Sequence, residues 1–138
     1  MQGLEAYVRQ SGLENSLLEL VRLRASQING CGYCIDMHTK DARLAGETEQ
    51  RLYLLSAWRE APFYTDRERA ALAWTEAVTR ISPESVDDAL YESVRRHFNE
   101  KELVDLTLAI IAINGWNRLA ISFRTEPGSY KPEAAQTA

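Results

Sequence analysis

The sequence predicts an all-α protein. Apolar residues recur at helical spacing, no stretch shows the strict alternation of a strand, and the 7 glycines and 4 prolines fall mainly at prospective helix ends.

A short first helix covers about residues 4–10 and stops near Gly12. The second spans about residues 14–28, with Leu17, Leu18, Val21, Ala25 and Ile28 on one stripe, and Asn29-Gly30 ends it. A third begins around Cys31-Gly32-Tyr33-Cys34 and runs to about Ala45, where Gly46 supplies the C-terminal cap. Thr48 opens a fourth helix, to about residue 60, ahead of Pro62. Asp66 is the expected cap of a fifth over residues 67–81, with Glu68 in its first turn. Ser82-Pro83-Glu84 repeats that signature for a sixth, with Ser82 as cap and Pro83 in the first helical position. The last helix runs from Glu100 to about Phe123. Its residues 103–113 are apolar nearly all round, the pattern of a helix buried on several sides or in an interface. Residues 1–126 read as one domain, and 127–138 as a polar tail that is either disordered or draped over a neighbour.

Composition narrows the function. Hydrophobic residues make up 45% and charged residues 26% of the 138-residue chain, an ordinary globular balance. Net charge is −4 and the bases are interspersed with acids, so no cationic stripe exists to neutralise phosphates; nucleic acid is not an expected partner. No apolar run approaches the ~20 residues of a bilayer span. The opening Met1-Gln2-Gly3-Leu4-Glu5 lacks the basic flank and apolar stretch of a secretory signal. The expected location is therefore cytoplasmic, with no membrane partner. In that reducing compartment a lone Cys-x-x-Cys is more often catalytic or metal-binding than a structural staple.

The two cysteines are the only ones in the chain, and His38 follows Cys34 by one helical turn. With Cys31 at the start of the third helix, its sulfur lies near unpaired N–H groups and the positive end of the helix dipole, which favour thiolate. Residues i and i+3 of a regular helix keep their Cβ atoms ~5–6 Å apart, whereas a disulfide wants about 3.8 Å. Closure is easiest if Cys31 sits on a turn not yet helical, and Gly30 and Gly32 supply that freedom. His38 and Cys34 point off one face, so the imidazole can exchange a proton with the thiol near neutral pH.

Thiol activation alone is insufficient. A thiol of pKa ~8.5 is only ~3% thiolate at pH 7, and two units less gives ~75%. Intrinsic nucleophilicity then falls about eightfold, leaving a gain of about threefold. A second group must protonate the leaving oxygen. Glu19 could orient His38 or relay a proton: counting back from the Asn29-Gly30 turn at ~1.5 Å per residue puts it within about one turn of His38. Its position opposite the main apolar stripe, taken alone, reads as a solvated acid.

Glu19, eleven residues, Cys31-x-x-Cys34, three residues, His38 resembles the motif of the alkylhydroperoxidase D-like proteins of the carboxymuconolactone decarboxylase superfamily. Asn114-Gly115-Trp116-Asn117-Arg118 through Arg124 also resembles the end of that group's core. The resemblance implies an all-helical bundle whose helical hairpin carries the cysteines. It implies a cytoplasmic, antioxidant thiol peroxidase that reduces hydroperoxides, with an external dithiol or lipoyl-type reductant and no cofactor. It further implies a homo-oligomer, either a trimer or a hexamer built as a trimer of dimers. By the same resemblance Cys34 attacks the peroxide, Cys31 donates a proton and then closes the redox disulfide, and His38 and Glu19 relay protons. The group's best-known members carry a second histidine where this chain has Tyr33, a poor proton acceptor near neutral pH.

Other readings stay open at this level. A decarboxylase-type lyase of the same superfamily needs no thiol, and a non-enzymatic helical assembly protein needs no site. Two cysteines and His38 could supply three zinc ligands, but no further Cys-x-x-Cys or histidine cluster completes the set. Trp58, Trp74 and Trp116 are expected in the core, Asp36 and Asp41 as exposed charges, and His97 at a solvated helix end. Arg118 and Arg124 fit an acidic ligand or interface ion pairs equally.

Overall fold

The computed structural model describes residues 1–134. Among them are seven α-helices and no strand: α1 (Gln2–Arg9), α2 (Asn15–Asn29), α3 (Gly32–Leu44), α4 (Glu49–Tyr53), α5 (Asp66–Thr79), α6 (Asp88–Arg95) and α7 (Glu100–Ser122), with one 3-10 turn over Leu55–Ala57.

The all-α expectation holds, and α2 is its axle. It packs against α3, α5 and α7 together. Leu17, Leu18 and Val21 enter one apolar cluster with Trp74, Phe98, Leu106 and Ile110. Leu20 and Leu23 enter a second with Ala42, Leu52, Leu55, Trp58 and Leu72. Every residue from Leu17 to Leu23 is consequently buried, Glu19 and Arg22 included. Each buried leucine is worth about 1.5–3 kcal/mol, but the two charged side chains must find partners inside.

The end of α2 sets up the cysteines. Gly30 adopts φ 70° and ψ 31°, the left-handed conformation a glycine reaches without penalty. The Cys31 N–H then donates to the Ser26 carbonyl at 3.0 Å and the Gly30 N–H to Gln27 at 3.3 Å, a Schellman closure. The chain reverses directly into α3, forming the anticipated hairpin.

Three boundaries differ from the sequence reading. The single helix expected over residues 48–60 breaks into α4 and the 3-10 turn. Leu55 is fully buried, and Trp58 turns inward to donate from Nε1 to Glu76 Oε1 at 2.9 Å. Arg69 takes over the freed carbonyls of Trp58, Arg59 and Ala61 at 3.0–3.1 Å. Thr65, not Asp66, caps α5 in a reciprocal box with Glu68. Ser82 caps no helix: Ser85 Oγ accepts from the Ser82 N–H at 2.8 Å and closes a turn, and α6 starts later under Asp87, whose Oδ1 accepts from the Leu90 N–H at 2.8 Å.

Helix α7 begins at Glu100 as expected, capped by Asn99 and Glu102. By length and composition it is the one described helix apolar enough to cross a membrane, which the count of uninterrupted apolar residues did not anticipate. Here it packs on α1, α2 and α5. Past it, Arg124 takes a positive φ of 55° and the Thr125 N–H donates to Ala120 at 2.9 Å. That reversal sends the tail back along α3. Gly128 N–H donates to Asp36 at 3.0 Å, Lys40 donates to the Gly128 and Tyr130 carbonyls at 3.3 and 3.0 Å, and Tyr130 donates to Asp41 at 2.8 Å. The tail thus drapes over its own chain as far as Tyr130; residues 135–138 lie outside the described residues.

Candidate active site

Cys31 is the N-cap of α3, with extended φ −81° and ψ 95°, and its Sγ accepts from the Cys34 N–H at 3.3 Å. Because Cys31 has not yet entered the helix, its side chain can turn onto Cys34. The two form a disulfide with Cα atoms 5.3 Å apart, inside the usual disulfide range. Both are buried.

One turn on, His38 is 8% exposed and its Nδ1 lies 2.9 Å from Glu19 Oε2. Glu19, 6% exposed, is no solvated acid: α3 covers the side of α2 that the apolar stripe leaves free. Its other oxygen, Oε1, accepts from Arg22 Nη1 at 2.7 Å. Burial pushes the Glu19 carboxyl up, but the hydrogen bond and charge of His38 and the Arg22 guanidinium outweigh it and hold the group below its ordinary value near 4.5. An ionised carboxylate only accepts, so whenever the His38 ring is neutral its proton sits on Nδ1 and Nε2 is the free acceptor.

Cys34, His38 and Glu19 border a cavity of about 630 Å³, open to solvent on one side. Tyr33 lines it too, and Met37, Ile113, Trp116 and Phe123 supply apolar wall. Cys31 is not among its lining residues, so Cys34 is the sulfur that faces it. The site can therefore exchange electrons at Cys34 and hold or move a proton at His38, next to an apolar space.

All four candidates come together, and several neighbours were misjudged from sequence. Trp58 and Trp74 are buried as expected, but Trp116 walls the cavity and donates from Nε1 to Glu5 Oε2 at 3.2 Å. Asp36 and Asp41 are half-buried anchors for the tail, and Asp41 and Tyr130 also line the cavity. Arg22, buried at 6%, went unremarked; an i,i+3 pair with Glu19 was the available signal. His97 is half-buried away from the site, its carbonyl bonded by Arg67. Arg118 and Arg124 are exposed and neither lines the cavity. The described residues bring Glu19, His38 and Asp41 together with candidate metal-donor atoms within 4.8 Å of one another, a set that includes neither cysteine of the zinc alternative.

A helical hairpin with a cysteine pair at its mouth, backed by a buried His–Glu pair, defines an alkylhydroperoxidase D-like protein. Residues 1–77 match the model of the carboxymuconolactone decarboxylase family, and the chain belongs to this family. It is 48% identical over 129 residues to the uncharacterized protein YdfG of Bacillus subtilis (strain 168), covering 94% of this chain and 88% of the relative. Among solved structures it resembles a protein of unknown function from Agrobacterium tumefaciens, provisionally designated an antioxidant defence protein, AhpD. That likeness has TM-score 0.89 and 48% identity, over 94% of this chain and 88% of the other. The debrominase Bmp8 shares the fold alone, with TM-score 0.79 and 24% identity over 92% of this chain and 68% of that one.

Proposed function

We propose that the protein is a thiol-dependent hydroperoxidase working through a Cys31/Cys34 dithiol–disulfide cycle, with His38 and Glu19 as its proton relay. The observation that carries this reading is that Cys34 faces the cavity, bonded to Cys31 behind it, while the His38–Glu19 pair opens on the same space.

In the reduced protein, Nε2 of His38 takes the Cys34 proton, and the imidazolium is stabilised by Glu19. The Cys34 thiolate attacks the terminal peroxide oxygen. The O–O bond breaks, two electrons pass from sulfur to oxygen, and the leaving alkoxide receives the proton from His38, giving alcohol and Cys34 sulfenic acid. The Cys31 thiol condenses with the sulfenic acid, releasing water and forming the disulfide. An external dithiol, of lipoyl type by the resemblance, returns two electrons and two protons in two exchange steps. A cytoplasmic location matches this need for a reductant. Exposed Val104, Ile111, Ile121 and Phe123 on and just after α7 support a homo-oligomer.

The test is peroxide consumption with a small dithiol supplied, measured for the wild type and Cys34→Ser. Full turnover by Cys34→Ser overturns the reading. Carbon dioxide release from a muconolactone by a cysteine-free variant would favour the lyase chemistry for which the family is named.

A further inference from the structure

Among the described residues Arg22 is the one buried cation beside the relay, and the peroxidase cycle gives it no part. It is 6% exposed, on the same helix as Glu19. Its two terminal nitrogens are divided: Nη1 donates to Glu19 Oε1 at 2.7 Å, and Nη2 donates to Glu5 Oε1 of α1 at 2.6 Å. Glu5 is held in turn by Trp116 Nε1 at 3.2 Å. A guanidinium is a rigid planar fork, so two carboxylates bound at its two ends fix each other's position.

We propose that Arg22 is the positioning residue of the relay: it clamps Glu19 so that Oε2 alone faces His38 Nδ1, and Glu5 anchors the clamp to α1. The proposal rests on the peroxidase reading for its catalytic consequence, but not for its geometry. Without the clamp, a glutamate with three rotatable bonds can turn either oxygen, or neither, to the ring. The imidazole would then lose the partner that fixes its proton on Nδ1 and frees Nε2 for Cys34.

Two features make such a clamp necessary. Glu19 borders the main cavity on one side and, on the other, a second cavity of about 320 Å³ lined by Ser16, Ala42, Gly46, Glu47 and Arg51. Open space flanks Glu19 in both directions, so its hydrogen bonds, more than packed neighbours, fix its orientation. The second feature is charge. Arg22 between Glu5 and Glu19 leaves the three groups with one net negative charge, so the clamp holds Glu19 ionised without cancelling the charge that stabilises an imidazolium. The other titratable groups around the carboxylate are Tyr33, His38, Asp41 and, once reduced, Cys34 of α3, Arg9 of α1 and Tyr130 of the tail on the main-cavity side, and Glu47 and Arg51 across the rear cavity.

The experiment compares wild type, Arg22→Gln and Arg22→Lys. In Arg22→Gln, kcat for peroxide should fall roughly tenfold or more at little change in KM. The acid limb of its pH–rate profile should move to higher pH, since Glu19 loses the cation that favours its charged form. Nitrogen NMR should show His38 leaving the single Nδ1–H tautomer for a mixture. Arg22→Lys, which keeps the charge but not the fork, should restore the acid limb and leave the tautomers mixed. A folded Arg22→Gln protein with the wild-type tautomer and acid limb overturns the proposal.

Wild-type protein supplies an independent reading if Arg22→Gln does not fold. A clamped guanidinium shows separate, slowly exchanging Nη resonances, whereas a single averaged Arg22 signal overturns the clamp. The NMR outcomes need no turnover, so an inactive wild type would sink the peroxidase reading and leave this one standing or falling separately.

Discussion

His38 Nδ1 lies 2.9 Å from Glu19 Oε2, joining residues nineteen apart on two antiparallel helices. The contact depends on the Gly30 reversal, which brings α3 back along α2 in the register that sets the ring against the carboxylate. It divides the ring's duties: Nδ1 is tied to Glu19, and His38 borders the same cavity as Cys34.

Replacing Glu19 with Gln should lower kcat/KM for peroxide by about 10²–10⁴-fold, the usual range for a lost proton-transfer partner. The neutral amide can still accept from Nδ1 but no longer stabilises an imidazolium. Steady-state assays at neutral pH decide it; unchanged turnover removes Glu19 from the relay.

The same carboxyl has a signature in stability. Its folded pKa is depressed, so its contribution is fully present above the ordinary value near 4.5 and is lost as pH falls through the folded value. Thermal melts from pH 6 downward should show stability declining below about 4.5. Glu19→Gln should flatten that decline without abolishing it, because Glu68 and Glu76 are depressed as well, burial pushing each up and bound arginines outweighing it. An identical slope in wild type and Glu19→Gln would falsify this assignment.

Cys31→Ser should uncouple the two halves of the cycle. Cys34 sulfenic acid should form with one equivalent of alcohol per chain and then persist, because no resolving thiol is present. Mass spectrometry after trapping with a 1,3-diketone reads it directly. No label on Cys34, with turnover continuing, contradicts the assigned roles.

Reducing the Cys31–Cys34 bond should cost little stability, because so short a loop restrains little chain entropy. The chain-entropy relation gives about 2 kcal/mol for this spacing, a fall in Tm on the order of 5 °C for a domain of this size. Calorimetry with and without reductant tests it. Unfolding on reduction would mean the bond is a structural staple and not a redox couple.

Tyr130 ties the tail to α3, and burial together with its hydrogen bond to Asp41 pushes its phenol up to about 12. It stays protonated, and bonded, throughout the neutral range. Tyr130→Phe should leave the helices intact while raising backbone hydrogen exchange at Gly128, which the same anchored segment protects. Equal exchange rates would show that Asp36 and Lys40 hold the tail by themselves.

The cysteine pair and His38 were legible because their relation is local: within one helix, spacing dictates face. The end of α2 was equally plain, since Asn29-Gly30 offers the chain a left-handed residue at the place it must reverse. The helix expected over residues 48–60 misled because propensity carries no knowledge of Trp58 reaching Glu76 or Arg69 replacing the lost backbone bonds. The Ser82-Pro83 signature misled for a similar reason, as Ser85 bonded Ser82 first and left Asp87 to start α6.

What the sequence determined by itself is the helical class, the hairpin turn, and the cysteine pair with its histidine one turn away, all consequences of contacts within a few residues. Only the tertiary structure decided that Glu19 is inside. A helical wheel assumes one buried face, whereas α2 is enclosed on every side, and its apparently solvent-facing acid is capped by His38 from α3 and by Arg22, itself anchored to α1 through Glu5. Burial of that kind is set by what packs against a helix, which no periodicity within the helix records.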